Sequence, residues 1–175
     1  RGNPTNFVPP AHNNYYTILN MKTFKDILNE SFDKPYGPIQ WKGQQGFGKS
    51  ITIKGEFKTD EGTPYQIEFV VFPGDDGGNA ANVEFKQLGN VKGNPTGITG
   101  AGDQFRVFAT VIDGIEDIVK KAKLTAVQFD SFKDLPTRVR LYDRLVKKLA
   151  QKIGFKAKID KTSDPEVVLY KLTRE

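Results

Sequence analysis

Residues 105–130 read FRVFATVIDGIEDIVKKAKLTAVQFD, and the fold turns on how this run is divided. FRVFATV is apolar and rich in β-branched residues, which predicts an inner strand. Ile115, Ile118, Val119 and Ala122 then fall at helical spacing and predict a helix over about 113–123. LTAVQFD returns to strand character. Strand, helix, strand in one run is a βαβ unit, which requires a parallel pair of strands.

On the C-terminal side, Leu135-Pro136-Thr137 opens a long helix, with Leu141, Leu145, Leu149 and Ile153 along one stripe and Gly154 as its stop. FKAKID and EVVLYKL follow as a hairpin-like pair. On the N-terminal side, ITIKGEFK, YQIEFVVF and NVEFKQL predict an antiparallel meander, with the turn-rich PGDDGGN between the last two. GNVKGNPTGITGAGD is expected as a long glycine-rich loop leading into FRVFATV. The predicted class is α+β: a mixed sheet in which an antiparallel meander is followed by βαβα and a closing strand pair. Phe24, Ile27 and Leu28 predict a short amphipathic helix over about 22–31. Residues 1–20, with three prolines and five asparagines, read as an extended N-terminal arm carrying Phe7, Tyr15 and Tyr16, ahead of a single domain over 21–175. The sequence opens on Arg1 and its sole methionine is Met21. The arm is therefore expected to be an extension exposed by processing, or the interior of a longer product.

Composition removes many chemistries. With no cysteine, disulfides, thiolate zinc sites, iron–sulfur clusters and a cysteine nucleophile are excluded. A single histidine, His12, excludes multi-histidine metal sites and sets any chemistry on carboxylates, Tyr, Lys, Arg, Ser, Thr or backbone amides. A net charge of +5, with 21 acidic residues interspersed, leans only mildly toward acidic partners. No apolar run approaches the roughly 20 residues that span a bilayer.

Two glycine-rich strings invite a nucleotide reading. GQQGFGKS, residues 43–50, satisfies the Walker A spacing through Gly43, Gly48, Lys49 and Ser50. A phosphate loop needs a helix directly after the Ser, whose N-terminal amides face the phosphate. Here ITIKGEF follows with a two-residue period, which predicts a strand, so a glycine-rich turn is expected instead. GAGDQF, residues 100–105, is read in the same way, because its glycines precede a predicted strand.

TRVRLYDRLVKKLAQKIGF, residues 137–155, resembles the late helix of GNAT-type N-acetyltransferases, where an L-Y pair and a closing G-F recur. Leu141-Tyr142 and Gly154-Phe155 match those positions, with additional helical turns between them. The element order over about 50–172 is similar to that family as well. The resemblance implies a mixed GNAT-like sheet, acetyl-CoA as the acyl donor, and Tyr142 as the acid that protonates the leaving thiolate. Glu68, Glu84 and Asp130 are candidate bases, and nothing in their spacing selects one. In the family, the strand matched by FRVFATV leads into R/Q-x-x-G-x-G/A, whose amides hold the coenzyme's pyrophosphate. Here the matching residues are Val111-Ile112-Asp113-Gly114-Ile115-Glu116-Asp117. Three carboxylates in the first turn of the expected helix suit the helix dipole and repel a phosphate. No cofactor is expected on this reading.

TGAGDQFRVFATVIDGI and RVRLYDRLVKKLA also resemble phage-encoded proteins of GNAT-like architecture without a clear acetyl-CoA signature. That resemblance implies a non-catalytic, virion-associated assembly protein, located in the virion or the host cytoplasm. Its contacts to other subunits, including copies of itself, would run through Phe7, Tyr15, Tyr16 and a basic helix face of Arg140, Arg144, Lys147 and Lys148. The alternative is an acetyl-CoA-dependent N-acyltransferase, with Tyr142 as acid and the backbone at Val111, Asp113 and Gly114 holding the pantetheine. A third reading is a nucleic-acid-binding accessory domain, although no aromatic residues interleave the basic face.

Overall fold

A computed structural model describes residues 34–89, 103–134 and 136–174. The arm and the helix expected over 22–31 lie outside these residues, as does most of the glycine-rich loop. The elements run β1 (Gln40–Phe47), β2 (Ser50–Lys58), β3 (Pro64–Pro73), β4 (Asn79–Gln87), α1 (Asp103–Lys121), β5 (Leu124–Phe132), α2 (Pro136–Ile153), β6 (Phe155–Asp160) and β7 (Val167–Arg174). One seven-stranded sheet is ordered β1-β2-β3-β4-β5-β7-β6. Every pairing is antiparallel except β4 with β5, which are joined through α1. The α+β class and the mixed sheet are as expected, with the antiparallel meander at one edge and the closing strand pair at the other.

FRVFATV is the main correction: it is not a strand but the first half of α1, which begins at Asp103 rather than near 113. Its residues misled because this part of the helix is buried on every side. Val107, Phe108, Ala109, Thr110, Val111 and Ile112 are consecutive and all buried. A helix apolar all round carries no 3.6-residue period, so by pattern it cannot be told from an inner strand. Thr110 is tolerated there because its Oγ1 donates to the Arg106 carbonyl (2.9 Å) and accepts the Tyr36 N–H (2.9 Å). Lys120 and Lys121 close the helix, each paired one turn back with Glu116 and Asp117.

The stretch before Ser50 also differs from expectation. Residues 40–47 form β1, and Gly48-Lys49 is the two-residue turn of the β1–β2 hairpin, with Gly48 at φ +59°. β1 is polar and exposed along most of its length. It is held by pairing with β2 and by Trp41, whose ring lies 5.9 Å from Phe69. Gly55 makes room for that ring, since a Cβ there would sit 2.7 Å from Trp41. A strand follows Ser50, as the alternation predicts.

α2 opens on Pro136 and stops at Gly154 (φ +70°), as expected. Both helices cover one face of the sheet, where Phe57, Ile67, Phe69, Val83, Val127, Tyr170 and Leu172 are buried. The opposite face carries Lys54, Glu68, Asn82, Glu84, Gln128 and Asp130 at the alternate positions.

Candidate functional site

The parallel pair does not stay together. β4 and β5 are joined only from Asn79–Leu124 to Asn82–Gln128, yet β4 continues to Gln87 and β5 to Phe132. The Asn82 and Gln128 side chains hydrogen-bond to each other at the last rung. Beyond it, residues 83–87 have no strand partner on the β5 side among the described residues, so alternate backbone amides and carbonyls face an opening. A cleft of about 740 Å³ fills this split. It is lined by Val83 and Phe85 from the helix-covered face and by Asn82 and Glu84 from the open face. The cleft is therefore lined from both faces of the sheet, reaching buried residues beneath the helices and opening among exposed ones on the other side.

On the helix side, α2 sets Tyr142 over the split. Its ring centroid lies 6.0 Å from Phe85 of β4 and 5.8 Å from Phe129 of β5, bridging strands that have parted. Phe108 (5.6 Å) and Tyr170 (5.9 Å) complete the aromatic cluster, and Tyr142 is only 9% exposed. Tyr170 serves the frame: its hydroxyl donates to Asp143 Oδ1 at 3.1 Å. Burial, aided by that hydrogen bond to Asp143, pushes its phenol pKa up, so it stays protonated. Ser131 of β5 also lines the cleft; it is 4% exposed, and its Oγ has no hydrogen-bond partner among the described residues. A buried hydroxyl left without a partner costs about 1–3 kcal/mol, so a group that supplies one is favoured.

On the open side, Glu68, Glu84 and Asp130 line the same cleft. The structure thus gathers Tyr142 and all three candidate bases around one opening. Glu68 and Glu84 are cross-strand neighbours, and Lys54 engages Glu68 at 3.0 Å. No group of three His, Asp or Glu side chains among the described residues is placed to hold a metal ion.

The residues that would hold a coenzyme under the acyltransferase alternative do something else. Val111, Asp113 and Gly114 lie in the middle of α1, where backbone amides are already bonded within the helix. Val111 is core and lines the cleft. Gly114 makes room for Ile39, whose Cδ1 would stand 2.6 Å from an added Cβ. Asp113 and Glu116 bind Lys152 of α2 at 2.5 and 2.9 Å, tying the two helices together. Arg140, Arg144 and Lys147 share the exposed face of α2, and Lys148 beside them is half-buried. Phe7, Tyr15 and Tyr16 lie outside the described residues. No helix among the described residues is long and apolar enough to cross a membrane.

The Lys152 bridge gives a pH-dependent prediction. Hydrogen bonds from Lys120 and Lys152 hold the Glu116 carboxyl below its ordinary 4.5. Burial works against the Lys152 charge, but hydrogen bonds to Asp113 and Glu116 outweigh it and hold the amine above its ordinary 10.5. The glutamate contributes stability above its unfolded pKa, and this is lost as pH falls through the folded value. The lysine contributes below 10.5, and this is lost as pH climbs through its folded value. All three side chains are partly exposed, so Lys152→Ala is expected to cost only about 0.5–1 kcal/mol near neutrality. In thermal melts taken as a pH series, the difference from wild type should shrink as pH falls below 4.5 and the Glu116 carboxyl takes up its proton.

No protein-family model matches the chain, and no curated protein matches it by sequence. Among solved structures, the chain is similar to the Campylobacter jejuni N-acetyltransferase PseH. Identity is 13% and the TM-score 0.40, with 74% of this chain and 71% of PseH covered. It is also similar to RimL, a ribosomal L7/L12 alpha-N-protein acetyltransferase in complex with coenzyme A. There identity is 8% and the TM-score 0.40, with 73% of this chain and 63% of RimL covered.

Proposed function

We propose that this chain binds an acyl-CoA thioester in the β4–β5 split and transfers its acyl group to an amine that enters from the open face. The observation that carries this reading is the cleft, lined from both faces of the sheet, where two parallel strands part. Ligands of open α/β sheets settle outside the carboxyl ends of parallel strands, and this cleft opens at the carboxyl end of β4. A thioester carried on an extended, amide-bearing arm suits it. The exposed strand edge can pair with the arm's amides, and the volume lies within the roughly 300–1,000 Å³ usual for small-molecule sites.

The coenzyme's phosphates favour the same end of the molecule. α1 begins at Asp103, and its first turn presents amides that have no helical acceptor. The sequence that runs into it, Gly97-Ile98-Thr99-Gly100-Ala101-Gly102, carries the G-x-G spacing of the loop implied by the resemblance, with Gly97 where Arg or Gln leads. Those six residues lie outside the described ones. The expectation of a non-catalytic assembly protein leaned on carboxylates crowding a helix start at 113. With the helix starting at Asp103, Asp113, Glu116 and Asp117 lie within its body and are each paired with lysine.

In the transfer step the ammonium gives a proton to a carboxylate at the open mouth, and the neutral amine attacks the thioester carbonyl carbon. The carbon–sulfur bond breaks, the departing thiolate takes a proton from Tyr142, and Tyr142 regains one from solvent. The surplus proton on nitrogen leaves by the open mouth, where carboxylates stand. Ser131 supplies a donor to a carbonyl of the bound arm.

Calorimetric titration with acetyl-CoA tests the reading. Saturable binding is expected, with a stability gain of about 2.7 kcal/mol at a ligand concentration a hundred times Kd. Ser131→Ala should stabilise the free protein by about 1 kcal/mol and weaken acetyl-CoA binding about 5- to 30-fold, because it removes a hydroxyl that has no partner among the described residues and that the ligand satisfies. No saturation at millimolar acetyl-CoA would end the proposal.

A further inference from the structure

The open mouth of the cleft carries its own chemistry, and it bears on which amines fit. Glu84 of β4 and Asp130 of β5 are the first open-face residues beyond the last rung, Asn82–Gln128, so they stand on opposite sides of the split. Both are exposed, and neither has an ion-pair partner among the described residues. Glu68, next to Glu84, is already engaged by Lys54. Asp160 is occupied by its own turn, accepting the N–H groups of Thr162 and Ser163. Two carboxylates flanking one opening repel each other until a cation lies between them.

Beside them is apolar surface. Phe132 is 51% exposed and Leu169 41% exposed, and both line the cleft. Leu169 is the cross-strand partner of Asp130, which puts Phe132 at its diagonal on the same face. Exposed apolar side chains that sit together at the lip of a cavity mark a contact surface. Lys171 and Lys158 also line the cleft, one rung away on β7 and β6, so a second positive charge would meet repulsion. Ser131, whose buried hydroxyl has no partner among the described residues, lines the same cleft from its helix-covered side.

We infer that the open mouth takes a singly charged amine on an apolar, ring-sized stem. Glu84 and Asp130 bracket its ammonium, and Phe132 and Leu169 hold the stem. The inference rests on the acyl-transfer reading for what the amine is there to do, but the amine site can be tested without it.

The test is binding of phenethylamine, spermidine and glucosamine to the whole chain at fixed ionic strength, followed by NMR shift titration. Phenethylamine is expected to saturate and to bind at least about tenfold more tightly than either of the others. The Glu84→Gln/Asp130→Asn double variant should weaken it at least about tenfold. Phe132→Ser/Leu169→Ser should weaken phenethylamine while leaving spermidine unchanged; all four positions are exposed, and the amide spectrum checks that each variant folds. Equal or tighter binding of spermidine, or indifference of phenethylamine to both double variants, overturns the inference. A parallel acetyl-CoA titration separates the two proposals. If phenethylamine binds and acetyl-CoA does not, acyl transfer falls and the amine site stands; if acetyl-CoA binds and phenethylamine does not, the reverse holds.

Discussion

Tyr142→Phe is expected to slow acyl transfer by about 100-fold or more, because it removes the proton that the departing thiolate takes. The ring is kept, so its contacts with Phe85, Phe108, Phe129 and Tyr170 persist. Melting should move by no more than about 2–4 °C, and acetyl-CoA affinity should stay near wild type. Tyr142→Ala is the wrong comparison. It takes away the ring that bridges β4 and β5, and about 3–5 kcal/mol of stability with it, so lost activity would report a damaged fold. Unchanged turnover in the phenylalanine variant would make Tyr142 a packing residue and send the proton elsewhere.

Phe108→Ala is expected to cost about 3–5 kcal/mol, which lowers the melting point by roughly 10 °C. Phe108 is fully buried, edge-on to Phe85 at 5.5 Å and to Tyr142 at 5.6 Å. Its neighbour Val107 is fully buried too, and Val107→Thr should cost about 1–3 kcal/mol by burying a hydroxyl. Loss at two consecutive positions separates a helix buried all round from a strand buried on one face, which would tolerate one of the two changes. Phe108 also backs Tyr142, so the variant's residual activity should fall along with its stability.

The parts of the fold legible in the sequence are those whose burial is one-sided. β2, β3 and β4 alternate because one face meets the helices and the other meets solvent. α2 shows its stripe, its proline start and its glycine stop for the same reason. β1 was not legible, because its strand character comes from pairing with β2 and from Trp41 fitting over Gly55. The first half of α1 was hidden by the opposite effect, too much burial to leave a period. That misreading moved the expected coenzyme loop ten residues along the chain and put Asp113 where a phosphate was looked for.

The candidate site was legible as residue types and not as a place. Tyr142, Glu68, Glu84 and Asp130 could be named from their chemistry, but three strands and a helix bring them together, and the split depends on a parallel register that no local pattern encodes. Glu84 and Asp130 are singled out only by that register, since they are the residues on either side just past the last rung. Ser131 carried no signal at all. A serine within a strand looks like any other until its burial and its missing partner are seen together.

The central claim is that an acyl thioester lies between β4 and β5, and a crystal structure of the chain with acetyl-CoA tests it most directly. The account predicts the thioester between residues 83–87 and 129–132, its carbonyl within hydrogen-bond reach of Ser131 and its sulfur facing Tyr142. Acetyl-CoA seated against Asp113 and Gly114 on the body of α1, or a split that stays empty at saturating ligand, would contradict it.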